Sequence, residues 1–113
     1  MKAITIKETG DFKQLTVDNI AIPEPSDNEV LVKIHYAGIN FIDIYQRMGK
    51  YPGPMPQTIG SEASGVVEQV GKNVTRFSAG DRVAYSMVFG AYAEYAVVPE
   101  EKLVALPEKI SFE

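Results

Sequence analysis

The side chains able to do chemistry crowd between Asn40 and Glu62 of this 113-residue chain. Asn40, Asp43, Tyr45 and Arg47 come first, then Tyr51 ahead of Pro52-Gly53-Pro54-Met55-Pro56, then Ser61 and Glu62. Asn40 is a good helix N-cap type, and a capping asparagine uses only its side-chain oxygen. Its amide nitrogen stays free to donate to a substrate or cofactor oxygen. Asp43, three residues on, reads as a capping-box acid that also complements the helix dipole. Tyr45 falls on an apolar stripe with Phe41, Ile44 and Met48, where an aromatic reads as core, its hydroxyl needing a partner if buried. Arg47 reads as a solvated charge on the helix face. Tyr51 differs, because a proline loop holds it beyond the helix. There a phenol can stack on a flat ring and donate to a carbonyl.

Several chemistries are excluded. There is no cysteine, hence no disulfide, thiolate nucleophile or cysteine-bound metal. The one histidine, His35, sits in an alternating segment with no metal-ligand partner at useful spacing and no serine to activate. Ser61 is thus a small polar pocket residue and not a nucleophile. A net charge of −4, with basic residues scattered, argues against nucleic acid and anionic lipid. No apolar run reaches the ~20 residues of a membrane-spanning helix. Met1-Lys2-Ala3-Ile4 enters a strand pattern directly, so a cytoplasmic protein is expected.

The elements that must position these side chains are mostly strands. Val30, Val32, Ile34 and Tyr36 alternate with Leu31, Lys33 and His35, predicting a strand with one buried face. Further strands are expected at 3–6, 15–17, 64–70, 82–85, 92–98 and 103–106, separated by turn residues such as Gly71-Lys72-Asn73 and Ala79-Gly80-Asp81. Gly60, Gly65, Gly71 and Gly80 read as turns or close-packing points. None belongs to the glycine fingerprint of a dinucleotide fold. One segment departs from period two: 40–49 predicts a helix of about two turns, capped by Asn40 and stopped by Gly49. The expectation is a mainly β domain over residues 1–113, a partly open antiparallel barrel with one short inserted helix.

Four stretches together resemble the medium-chain dehydrogenase/reductase superfamily, in its zinc-independent quinone oxidoreductase branch. They are Ala37-Gly38-Ile39-Asn40-Phe41-Ile42-Asp43, continuing to Tyr45, Arg47, Gly49 and Tyr51; Gly60-Ser61-Glu62-Ala63-Ser64-Gly65-Val66-Val67; Val70-Gly71-Lys72-Asn73-Val74 with Phe77 and Gly80-Asp81-Arg82-Val83; and Gly90-Ala91-Tyr92-Ala93-Glu94-Tyr95. In zinc-dependent members the positions of Asn40 and Ser61 hold a cysteine and a histidine ligand. An amide and a hydroxyl are not usual zinc ligands, so no metal is expected.

The resemblance implies a GroES-like barrel whose partner, its own Rossmann domain, is absent from this chain. It also implies NADPH as hydride donor, a quinone or enone acceptor and a homodimer when full length. Without zinc, protein donors must stabilise the charge developing on the acceptor oxygen, and Asn40 and Tyr51 are the candidates. Asn40, Asp43 and Tyr45 are then expected at the cofactor, and Tyr51, Ser61 and Glu62 around the substrate, with Glu62 orienting its neighbours from behind. Having no cofactor-phosphate site, this chain alone is expected to be inactive. Two other readings share the scaffold: an enoyl-thioester or alkenal reductase, and a non-enzymatic co-chaperonin-like assembly module.

Overall fold

A computed structural model describes residues 1–113. Eight strands form, and every pairing is antiparallel. They are β1 (Lys2–Ile6), β2 (Thr16–Asn19), β3 (Glu29–Ala37), β4 (Gln57–Thr58), β5 (Glu62–Val70), β6 (Arg82–Ser86), β7 (Tyr95–Pro99) and β8 (Leu103–Ala105). One α-helix, α1 (Phe41–Arg47), lies between β3 and β4. The strands make a three-stranded sheet in the order β2-β1-β4 and a five-stranded sheet in the order β7-β3-β5-β6-β8. The mainly β, GroES-like curled barrel with one helix is the fold the sequence led us to expect.

The long β3–β5 pair forms the spine. Val30, Val32, Ala63, Val67, Val83, Tyr85, Ala96, Val98 and Leu103, from the five strands of this sheet, pack with Phe77 and Ala91 into one core. Burial of such side chains stabilises by about 1.5–3 kcal/mol each before entropy is counted. Strict alternation in β3 fails at both ends. Leu31 is buried along with Val30 and Val32, whereas Tyr36 is half exposed. The register with β5 is irregular between Leu31 and Val32 and again between Ile34 and Tyr36. An extra residue on one strand turns the following side chains to the opposite face.

The sheets meet at the segment before β7. The sequence pattern predicts a strand from residue 92, but regular pairing begins at Tyr95. Residues 92–94 instead change partners. The Ile4 N–H donates to the Tyr92 carbonyl (2.8 Å) and the Glu94 N–H to the Lys2 carbonyl (3.2 Å), while the Ile34 N–H donates to the Glu94 carbonyl (2.9 Å). The chain thereby leaves β1 and joins β3, and that crossing curls the two sheets toward one another. Alternation cannot reveal a change of partner, because side chains keep alternating through it.

Candidate functional site

The helix α1 is built inside out relative to its apolar stripe. Ile39 (88% exposed) and Phe41 (79%) face outward, with Ile44, Tyr45 and Met48 also exposed, whereas Asp43 and Gln46 are its buried residues. The expected core stripe, Tyr45 included, is therefore surface. A seven-residue helix cannot hold itself in water by propensity. Polar bonds fasten it instead.

Asp43 is the main fastening. Its carboxylate is 4% exposed and accepts three hydrogen bonds. The Asn40 N–H donates at 2.9 Å, closing the capping box from the N-cap residue. The Ser61 hydroxyl donates at 3.3 Å, and the Tyr92 hydroxyl at 2.6 Å. A buried carboxylate needs such partners to offset its desolvation. Tyr92 is correspondingly held neutral, its ionisation pushed well above the usual tyrosine range. Burial is the larger cause, followed by the hydrogen bond to Asp43 and the carboxylate's charge. On the next turn, the Gln46 side chain is 1% exposed and donates to the Thr58 carbonyl at 3.3 Å, tying α1 to β4.

Two glycines make room for this arrangement. Gly60 has φ +102°, and a Cβ there would sit 2.9 Å from both the Tyr92 backbone nitrogen and a carbon of its ring. Only glycine lets the ring lie across residue 60 with its hydroxyl aimed at Asp43. At Gly38, a Cβ would come within 2.6 Å of Glu62 Cγ and Cδ, so the Glu62 side chain occupies that place.

The site residues expected from sequence do not share one cavity. Tyr51 lines a cleft of about 510 Å³ with Gln46, Pro52, Pro54, Pro56 and Phe89. Its ring is 41% exposed and meets Phe89 edge to face, with centroids 5.7 Å apart. A cleft of that size matches an ordinary small-molecule site. Glu62 opens instead into a second cleft of about 430 Å³, with Tyr36, Ala63, Tyr85 and Phe112. Ser61 (2% exposed) and Asp43 lie buried, bonded to each other. Asp43, expected at the edge of a nicotinamide pocket, thus has its carboxylate taken up by three donors of its own chain. Tyr45 is surface, with the Lys50 ammonium over its ring at 5.1 Å. Asn40 holds the N-cap position. His35 stacks on Phe112, centroids 4.4 Å apart. No three His, Cys, Asp or Glu side chains converge anywhere in the chain.

Sequence reasoning missed Tyr92 and Gln46. Tyr92 lay in a segment read as plain strand, and Gln46 was assigned no role within the predicted helix. The only available signal was Gly60, an unusual residue just ahead of a strand.

Fold and site together define a GroES-like barrel in which a polar-anchored helix and a proline loop carry the candidate groups. Residues 26–108 match the model of the alcohol dehydrogenase GroES-like domain, and the chain belongs to that family. The chain is 54% identical to a quinone oxidoreductase of Pseudomonas aeruginosa over 92 residues, covering 80% of this chain and 28% of that protein. It is 40% identical to human quinone oxidoreductase over 116 residues, covering 99% of this chain and 35% of that one. The structure of Escherichia coli quinone oxidoreductase complexed with NADPH superposes with a TM-score of 0.94 at 38% identity, over 99% of this chain and 35% of that one. The chain thus spans about a third of the length of these relatives.

Proposed function

We propose that the full-length protein is a zinc-independent, NADPH-dependent reductase of quinones or similar electron-poor carbonyl compounds. In this reading residues 1–113 form its acceptor-side domain. The observation that carries it is the outward turn of α1. Ile39, Phe41, Ile44 and Tyr45, on α1 and just before it, leave large apolar side chains exposed, and exposed apolar surface is where an interaction face is sought. The relatives supply the partner chemistry: they are quinone oxidoreductases about three times as long, one of them solved with NADPH. These exposed apolar residues suit a dinucleotide-binding domain and the nicotinamide face it would present.

The residues present do not fit the cofactor's phosphates. The natural anion site at the start of α1 is already covered by the Asp43 carboxylate. Phosphate binding therefore belongs to the partner domain, and this chain by itself is expected to be inactive. Bound NADPH supplies the hydride. This chain's part is to bind the acceptor and stabilise the negative charge arising on its oxygen. The Asn40 amide and the Tyr51 hydroxyl are the donors, and a fixed donor in a water-poor site lowers the barrier by more than it would in water. Tyr45 flanks the cofactor, and Asp43 acts on it only through Asn40. Ser61 backs the pocket, and Glu62 holds Gly38 and the approach to Asn40 from the neighbouring cleft. A cytoplasmic homodimer with no nucleic-acid or membrane partner completes the reading.

The test is NADPH oxidation by the full-length protein with quinone, enone and enoyl-thioester acceptors. Turnover of quinones well above the others supports the proposal. Preference for an enoyl-thioester moves the protein to a different reductase class, and no turnover with a stable heptamer favours an assembly module.

A further inference from the structure

Three parts of the molecule that are distant in sequence converge on one carboxylate. Asp43 sits in the first turn of α1, Ser61 just ahead of β5, and Tyr92 at the crossing from β1 to β3. Their hydroxyls account for both Asp43 oxygens: Ser61 bonds Oδ1 and Tyr92 bonds Oδ2, while Oδ2 also takes the Asn40 N–H. Gly60 reinforces the pattern, since it leaves space for the Tyr92 ring at a backbone angle other residues avoid. Backbone bonds hold the two donor segments in register: the Tyr92 N–H donates to the Ile59 carbonyl at 2.8 Å, and the Gly90 N–H to the Gly60 carbonyl at 2.9 Å.

We infer that Asp43 and Tyr92 form a positioning pair that fixes the N-terminus of α1, and so the Asn40 amide, against the barrel for the reaction. The inference rests on the reading of Asn40 as a donor to the acceptor oxygen. The helix lacks the usual means of holding still. It is seven residues long, and of its apolar side chains Phe41, Ile44 and Tyr45 are exposed while only Ile42 is partly buried. Its place is therefore set largely by polar bonds: those at Asp43, that of Gln46 one turn later, and the Gly10 N–H donating to the Arg47 carbonyl at 2.9 Å. Of these, only the Asp43 bonds reach the N-cap residue itself. A donor displaced by about 1 Å from its productive geometry can lose on the order of 10²-fold in rate. Tyr92 matters doubly, because it gives the carboxylate its shortest bond and contributes no charge of its own.

The test uses Asp43→Asn, Tyr92→Phe and the double variant in the full-length protein, with NADPH and a saturating quinone. Asp43→Asn keeps the shape but loses the charge and turns an amide N–H toward one of its donors. It should lower kcat at least tenfold with the quinone KM changed less than threefold. Tyr92→Phe should lower kcat about three- to tenfold, and the double variant should be no worse than Asp43→Asn, since the two act as one unit. Asp43→Asn within twofold of the parent kcat, or fully multiplicative losses in the double variant, overturns the inference. Ultraviolet titration of the tyrosines gives a readout independent of activity. Removing the Asp43 charge should bring Tyr92 ionisation to lower pH, and an unmoved titration means the pair is not formed. If the parent protein reduces no quinone while this titration shifts as expected, the proposed function fails and the buried contact stands. Should Asp43→Asn not fold, Tyr92→Phe alone decides: its kcat equal to the parent's overturns the pair.

Discussion

Replacing Gly60 with alanine tests the reasoning about how the site is built. Two costs arise at once. The residue holds φ +102°, a left-handed angle that costs a non-glycine residue about 1–2 kcal/mol. The new Cβ would also overlap the Tyr92 ring and sit 2.9 Å from the Tyr92 backbone nitrogen, and overpacking of that kind costs about 1–3 kcal/mol. The sum is about 2–5 kcal/mol, a large part of the ~5–15 kcal/mol that holds a domain folded. Gly80→Ala is the matched control, because φ there is +95° but nothing lies within 4 Å of the added methyl. It should show the angular cost alone. With a urea slope of about 1–3 kcal/mol/M, Gly60→Ala should unfold on the order of 1 M below Gly80→Ala. Tyr92→Ala should remove the ring overlap and shrink the Gly60 cost toward that of Gly80. Equal midpoints for Gly60→Ala and Gly80→Ala would refute the claim that Gly60 exists to admit Tyr92.

Other outcomes follow from particular contacts. Tyr51→Phe in the full-length enzyme should lower kcat more than it raises the quinone KM, by less than the ~2.7–4 kcal/mol seen for fully preorganised donors, because the ring is partly solvated. Tyr51→Ala should add a KM penalty; a silent Phe variant with a lowered melting point for Ala would make the Phe89 contact its whole role. Leu103→Ala, at 1% exposure in the core, should cost about 2–5 kcal/mol by denaturant titration. Arg82 donates to the Pro107 and Ile110 carbonyls at 2.9 and 2.7 Å and lies over the Phe112 ring, so Arg82→Ala should speed amide exchange and proteolysis in 107–113. Tyr85 and Tyr92 are both shifted upward by burial, so the folded state holds their protons longer than the unfolded chain does. Stability should therefore be intact below about pH 10 and fall as pH rises beyond it, and Tyr85→Phe should flatten that fall.

Local chemistry written in the sequence settled a good deal. Period-two runs located most strands, because a side chain that alternates between core and solvent leaves a pattern independent of its partners. Asn40 and Gly49 bounded the helix to within two residues, since capping is decided within one turn. The lack of cysteine and the single histidine excluded whole chemistries by inventory alone. The motif resemblance reached the family for the same reason, being carried by residues in order along the chain.

Tertiary structure decided which face of each element was inside. The stripe of Phe41, Ile44, Tyr45 and Met48 looked like core, yet α1 turns Asp43 and Gln46 inward, because Ser61, Tyr92 and the Thr58 carbonyl wait there as partners. Hydrophobic period cannot foresee that, since a buried polar residue depends on donors 18 and 49 positions away. The same limit hid the division of Tyr51 and Glu62 between two clefts. Their spacing in sequence is short, but the barrel carries them to different walls. What a residue is followed from the chain; what it faces followed only from the closing of the two sheets around it.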